Sequence, residues 1–199
     1  MPDPQYPVAL LALLQLFRQD VQLLIYQLEQ KQITLDDWKS QMVQLLMRYS
    51  TAAMMLGLNV DVMTEQAEAA VLAQVTSQLP YLENFANDIE AGLVDEATMG
   101  AWLEKWNDRA GMYTDSIIPV FWKGSTRFLE LPAYPADGSS ECLMNDRCMW
   151  WLDWIDEPNL DVDAYWIGEK DSKICSTCFT RTERWYPLEV RGGVVPKNV

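Results

Sequence analysis

Cys142-Leu143-Met144-Asn145-Asp146-Arg147-Cys148, with Cys175-Ser176-Thr177-Cys178 downstream, holds every cysteine of a chain that contains no histidine. Two thiolates separated by two residues can face one tetrahedral Zn²⁺, because the turn between them bends the backbone around the ion. A second pair brought in from a distant loop completes a four-sulfur shell. Cys142, Cys148, Cys175 and Cys178 are therefore read as one structural zinc site, one ion per chain, although five residues separate the first pair. Two disulfides, or unconnected buried or redox thiols, are the alternatives. The opening Met-Pro-Asp-Pro has no basic stretch or small-residue cleavage site, so a reducing compartment is expected and metal is favoured over disulfides. Four thiolates leave no open position for water, so no reaction at the metal is expected.

Around the cysteines the composition is that of turns and short strands. Pro132, Pro135, Gly138, Ser139 and Ser140 make a turn-rich segment, and Met149–Trp154 and Ala164–Ile167 read as strands. A turn through Glu157-Pro158-Asn159 joins them, so a hairpin would bring the two cysteine pairs together. Such a module, residues 125–190, is too small to be stable by its core alone, and metal binding is expected to supply much of its folding energy.

Upstream of Gly124 the pattern is helical. Leu10, Leu13, Leu14, Phe17, Val21, Leu24, Ile25 and Leu28 follow the three-and-four spacing of one helix face. Thr34 with Asp37 three residues on predicts a capping-box start for a second helix, reaching about Leu56 with Gly57 as its left-handed cap. A third helix is expected over 63–91, kinked or broken at Pro80 and ended by Gly92. Asp95 would cap a fourth, carrying Met99, Trp102, Leu103, Trp106, Ala110, Tyr113, Ile117 and Val120, with Pro119 distorting its last turn. The fold class expected is mainly α: a helical domain of about four helices over 1–124, the small β-hairpin zinc module over 125–190, and a tail or arm over 191–199.

A formal charge of −14 repels phosphate backbones, so sequence-specific nucleic-acid binding is not expected. The apolar stretch Val8–Phe17 is too short to span a bilayer and is interrupted by Arg18, Gln19 and Asp20, so no membrane span is expected. Acidity together with nine tryptophans and eight tyrosines points to protein partners. An enzyme has little to stand on: there is no imidazole base, no phosphate-binding Gly-Lys loop and no dinucleotide-binding glycine turn. Asp153, Asp156, Glu157, Asp161 and Asp163 form an acidic cluster without the glycine and terminal glutamate of a calcium loop, and read as a solvated turn.

The string Leu131-Pro132-Ala133-Tyr134-Pro135-Ala136-Asp137-Gly138-Ser139-Ser140-Glu141-Cys142 through Cys148, then Cys175-x-x-Cys178 and Trp185-Tyr186-Pro187-Leu188, resembles the cysteine-rich tail of tailed-phage minor head proteins. These belong to the head-morphogenesis family encoded near the portal gene. Their tails carry a proline-glycine turn before a Cys-x-x-x-Cys-x-Cys cluster, a separate Cys-x-x-Cys and a tryptophan shortly after. Upstream, Gln78–Ile89 and Arg109–Tyr113 are similar to helices of that family, and the resemblance spans about residues 25 to 190. Asp146 stands where the family often has its middle cysteine, leaving four sulfurs, the number one tetrahedral site needs. The resemblance implies a non-enzymatic virion component in the capsid interior or at the portal vertex. Its partners would be the portal or major capsid protein, in multiple copies around a symmetric assembly. An intracellular zinc-stabilised helical adaptor or regulatory subunit is the alternative.

Overall fold

The computed structural model describes residues 7–93, 99–135, 137–141, 148–168 and 175–196. Five helices come first: α1 (Val8–Glu29), α2 (Leu35–Leu58), α3 (Glu65–Leu93), α4 (Met99–Asp115) and α5 (Ile118–Ser125). Strands β1 (Met149–Asp156) and β2 (Asp161–Ile167), helix α6 (Ser176–Arg184) and strand β3 (Leu188–Val190) follow. The chain is mainly helical with one small antiparallel sheet of order β1-β2-β3.

The first helix buries Leu10, Phe17, Val21, Leu24, Ile25 and Leu28, the stripe expected from their spacing. It packs on α2 and α4, and Phe17 stacks on Tyr49 at 4.4 Å between ring centroids. By length and composition α1 contains an 18-residue stretch, of mean hydropathy 1.5, long and apolar enough to cross a membrane, a length that Val8–Phe17 alone does not reach. Two of its charged residues are engaged with the rest of the fold: Asp20 pairs with Arg48 and accepts from the Tyr49 hydroxyl at 2.7 Å, and Arg18 lies 3.9 Å from Asp115.

The second helix starts as predicted. Thr34 Oγ1 accepts from Asp37 N–H at 3.1 Å, and the Asp37 carboxylate accepts from Thr34 N–H at 3.1 Å, a reciprocal box that satisfies two otherwise orphaned donors. Its end differs from the expectation. Gly57 lies inside the helix, and Asn59, at φ 55° and ψ 50°, is the left-handed cap. Asn tolerates that conformation, while Gly57 serves another need: a Cβ there would meet the Phe121 carbonyl oxygen at 2.2 Å.

Two further expectations change. Of the kink or break expected at Pro80, the third helix shows no break, and it runs past Gly92 to Leu93, with buried residues on both sides of the proline: Val71 and Val75 before, Leu82, Phe85 and Ile89 after. The expected fourth helix is two. The helix stops at Asp115, and Pro119 sits in the first turn of α5, where a missing N–H costs nothing, instead of distorting a last turn. The Asp95 cap lies outside the described residues.

Core residues fall into two groups. The larger joins the helices through Trp38, Phe85 and Tyr113, with Trp38 edge-on to Phe85 at 5.4 Å and Phe85 stacked on Tyr113 at 6.0 Å. The smaller runs from Leu129 to Val190 and includes Trp150, Trp166, Trp185, Cys148 and Cys178. Tyr134 packs against both, and its buried hydroxyl donates to the Leu129 carbonyl at 2.6 Å. The turn at Glu157–Leu160 closes the hairpin, with Trp150 opposite Trp166 and Asp153 opposite Asp163. Residues 191–196, expected as a tail or arm, fold back instead: Val194 bridges to Glu130, and Gly193 N–H donates to the Leu160 carbonyl at 3.0 Å.

Candidate metal centre

Cys175 is the N-cap of α6, with extended backbone at φ −73° and ψ 159°, and its Sγ accepts the N–H of Cys178 at 3.4 Å. A backbone amide aimed at sulfur suits a negatively charged thiolate, since the charged acceptor strengthens the bond. Cys178, in the first turn, is fully buried, and Cys148, directly before β1, is 4 % exposed. Both lie in the smaller core and Cys175 packs against it, so three of the four predicted ligands share one region. β1 leads away from Cys148, and β2 returns antiparallel beside it.

Three tryptophans make the floor. Trp150 stacks on Trp185 at 5.4 Å, Trp166 stands edge-on to both at 5.1 and 5.6 Å, and the buried Trp150 Nε1 donates to the Ala133 carbonyl at 2.9 Å. Arg181 lies over Trp166 and Trp185 at 5.1 and 5.4 Å and donates to the Ser139 carbonyl at 2.9 Å, tying α6 to the proline-glycine turn. That turn is closed by the Asp137 carboxylate, which accepts from Tyr134 N–H at 2.7 Å and Ser139 N–H at 2.8 Å. A second tie joins the same segments: Ser176, next to Cys175, donates to Glu141.

Cys142 and Asp146 lie outside the described residues. Among the described residues no three Cys, Asp or Glu side chains gather into a metal-holding group. The donors fit a thiolate-bound cation in type and region, and a four-sulfur shell depends on Cys142 as well. The sequence reading did not find α6, β3 or Arg181. The signal for α6 was present: a cap residue, polar first turn positions and Arg181 and Arg184 near the end of a short segment.

Four of the five acids of the cluster between β1 and β2 are committed to structure. Glu157 pairs with Arg127, Asp163 with Arg191 at 3.0 Å, Asp161 accepts from Gly192 N–H at 2.8 Å, and Asp156 accepts from Asn159 Nδ2 at 2.8 Å. A cleft of about 540 Å³ opens between α3, α4 and the Asp137-Gly138 turn, walled by Tyr81, Met112 and Tyr113. The charged groups at its rim are engaged: Arg109 pairs with Asp88, and Asp137 closes the turn. No family model, curated protein or solved structure matches the chain.

Proposed function

We propose that this chain is a non-enzymatic structural component of a tailed-phage virion, a minor head or portal-vertex-associated protein. Its C-terminal unit would be held by one zinc ion on Cys142, Cys148, Cys175 and Cys178. The observation that carries the metal reading is the placement of Cys148 and Cys178 in one buried core, with Cys175 capping α6 beside them and its sulfur accepting an amide. Cys142 follows Glu141, which is bonded to the neighbour of Cys175. Bound zinc would supply a closed, unreactive crosslink between the proline-glycine turn, the start of β1 and the start of α6. Binding would then be folding energy for a core built on three tryptophans and little else of comparable size.

The virion reading rests on the resemblance of the cysteine-turn string, and the acidic surface agrees with it. A body of charge −14 can face packed DNA without adhering to it, leaving its aromatic surface for portal or capsid protein.

Elemental mass spectrometry of the purified protein tests the first part. One zinc per chain is expected, lost together with near-ultraviolet tryptophan ellipticity in Cys175→Ser/Cys178→Ser. A metal-free native protein with freely titrating thiols would sink it. Co-expression with portal and major capsid proteins tests the second: the chain should sediment as multiple copies on a ring or shell, and a small soluble complex with neither would count against it.

A further inference from the structure

Among the described residues, three arginines share one arrangement. Arg48 lies over Tyr49 at 4.6 Å and pairs with Asp20, Arg109 lies over Phe85 at 4.9 Å and pairs with Asp88, and Arg127 lies over Trp154 at 5.5 Å and pairs with Glu157. In each, a flat guanidinium meets the negative face of a ring while a carboxylate takes its N–H groups. The two attractions act at right angles and do not compete.

The outer face of the sheet carries the ring and the carboxylate without the cation. Trp151 and Tyr165 are cross-strand partners with centroids 4.8 Å apart, and Tyr186 stands edge-on to Tyr165 at 5.4 Å. Tyr186 is 53 % exposed and Ile155, farther along the same face of β1, is 60 % exposed. Asp153 lies between Trp151 and Ile155 on that face, opposite Asp163. Arg191 already neutralises the other side, reaching Asp163 at 3.0 Å and Glu189 at 3.6 Å. Asp153 is exposed, and among the described residues no Lys or Arg pairs with it. The local potential is negative: after burial, Asp163 and Asp153 are what push the Tyr165 phenol above its ordinary pKa.

We infer that Trp151, Tyr165, Tyr186 and Asp153 form a docking surface for an arginine on a cationic segment of a partner protein. The arginine lies on the Trp151/Tyr165 rings and gives its N–H groups to Asp153, completing from outside the unit that the chain builds three times from within. Charge complementarity chooses the partner: a basic protein segment is drawn to a chain of charge −14, and phosphate-bearing ligands are repelled. Arginine is preferred to lysine because only a planar guanidinium stacks and bonds a carboxylate in a fork at once. The inference stands apart from the metal and virion readings.

The test uses the full chain, with isotope-labelled indole and amide groups, titrated with a short Gly-Ser-Arg repeat peptide and with Gly-Ser-Lys and Gly-Ser-Glu repeats as controls. The Trp151 indole resonance should move with the arginine peptide, less with the lysine peptide and not with the glutamate peptide. Trp151→Ala and Asp153→Asn should each weaken binding about fivefold, while Glu68→Gln, an exposed acid on α3, leaves it unchanged. Should Trp151→Ala unfold the sheet, Asp153→Asn alone decides. Equal weakening in Glu68→Gln and Asp153→Asn, or shifts spread over the acidic surface without Trp151, would overturn the inference in favour of diffuse attraction.

Discussion

Gly57 on α2 and Gly124 on α5 are set into each other's backbone. A Cβ on Gly57 would stand 2.2 Å from the Phe121 carbonyl oxygen, and one on Gly124 would stand 2.8 Å from that of Met54. Neither obstacle is a flexible side chain, so the helices can lie this close only without side chains at the crossing. In an unobstructed helix, Gly→Ala is stabilising by about 1 kcal/mol. Here the clash should win: Gly57→Ala is expected to cost about 1–3 kcal/mol, and Gly124→Ala to be destabilising too. Urea unfolding with an unchanged slope checks this, and an unaltered midpoint for Gly57→Ala would contradict the close crossing.

The capping box at Thr34 can be tested separately, because its bonds are local and lie at the surface. Thr34→Ala should lower stability by about 1 kcal/mol, and Thr34→Ser by much less, since serine keeps the accepting oxygen. Thermal melts of the two variants side by side distinguish cap loss from a general effect of substitution.

Tyr113 is 5 % exposed and burial pushes its phenol up to about 12, with Arg109 opposing the shift. The folded chain therefore holds this proton where the unfolded chain has released it. Its contribution to stability is complete below the ordinary tyrosine value of about 10 and is lost as pH rises through about 12. Tyr113→Phe should flatten the alkaline fall in melting temperature over that window while leaving behaviour below it unchanged. A fall of the same steepness in both proteins would assign the loss to other groups.

Trp150 donates its Nε1–H to the Ala133 carbonyl at 2.9 Å, with both residues buried. Trp150→Phe retains an aromatic ring and removes the donor, stranding a carbonyl away from water. A cost of about 1–3 kcal/mol is expected. The change should appear in protection of amides over 148–190 against hydrogen exchange, with those of α1 to α3 little affected.

Much of the helical part was legible because its signals act over one or two turns. Thr34 with Asp37 marks a helix start from four residues alone, and the spacing of Leu10, Phe17, Val21, Leu24 and Leu28 marks a buried stripe without knowledge of what covers it. The hairpin between β1 and β2 was legible for the same reason, through Pro158 and Asn159 between two aromatic-rich runs. The short α6 was marked by its end signals alone, since its nine residues bury Cys178 and little else and leave no apolar periodicity to read.

The sequence by itself determined the helix faces, the cap at Thr34 and the pairing of Cys175 with Cys178 on one turn, because hydrogen bonds and side-chain periodicity within a segment need no distant partner. Only the tertiary structure decided that Asn59 and not Gly57 ends α2, that Pro119 opens a helix, and that Cys148 shares a core with Cys178. The first and the last of those outcomes rest on contacts between segments far apart in the chain. The packing that sets such contacts, a carbonyl of α5 needing the space of a missing Cβ or three indoles and two thiols sharing one core, leaves no mark at either segment alone.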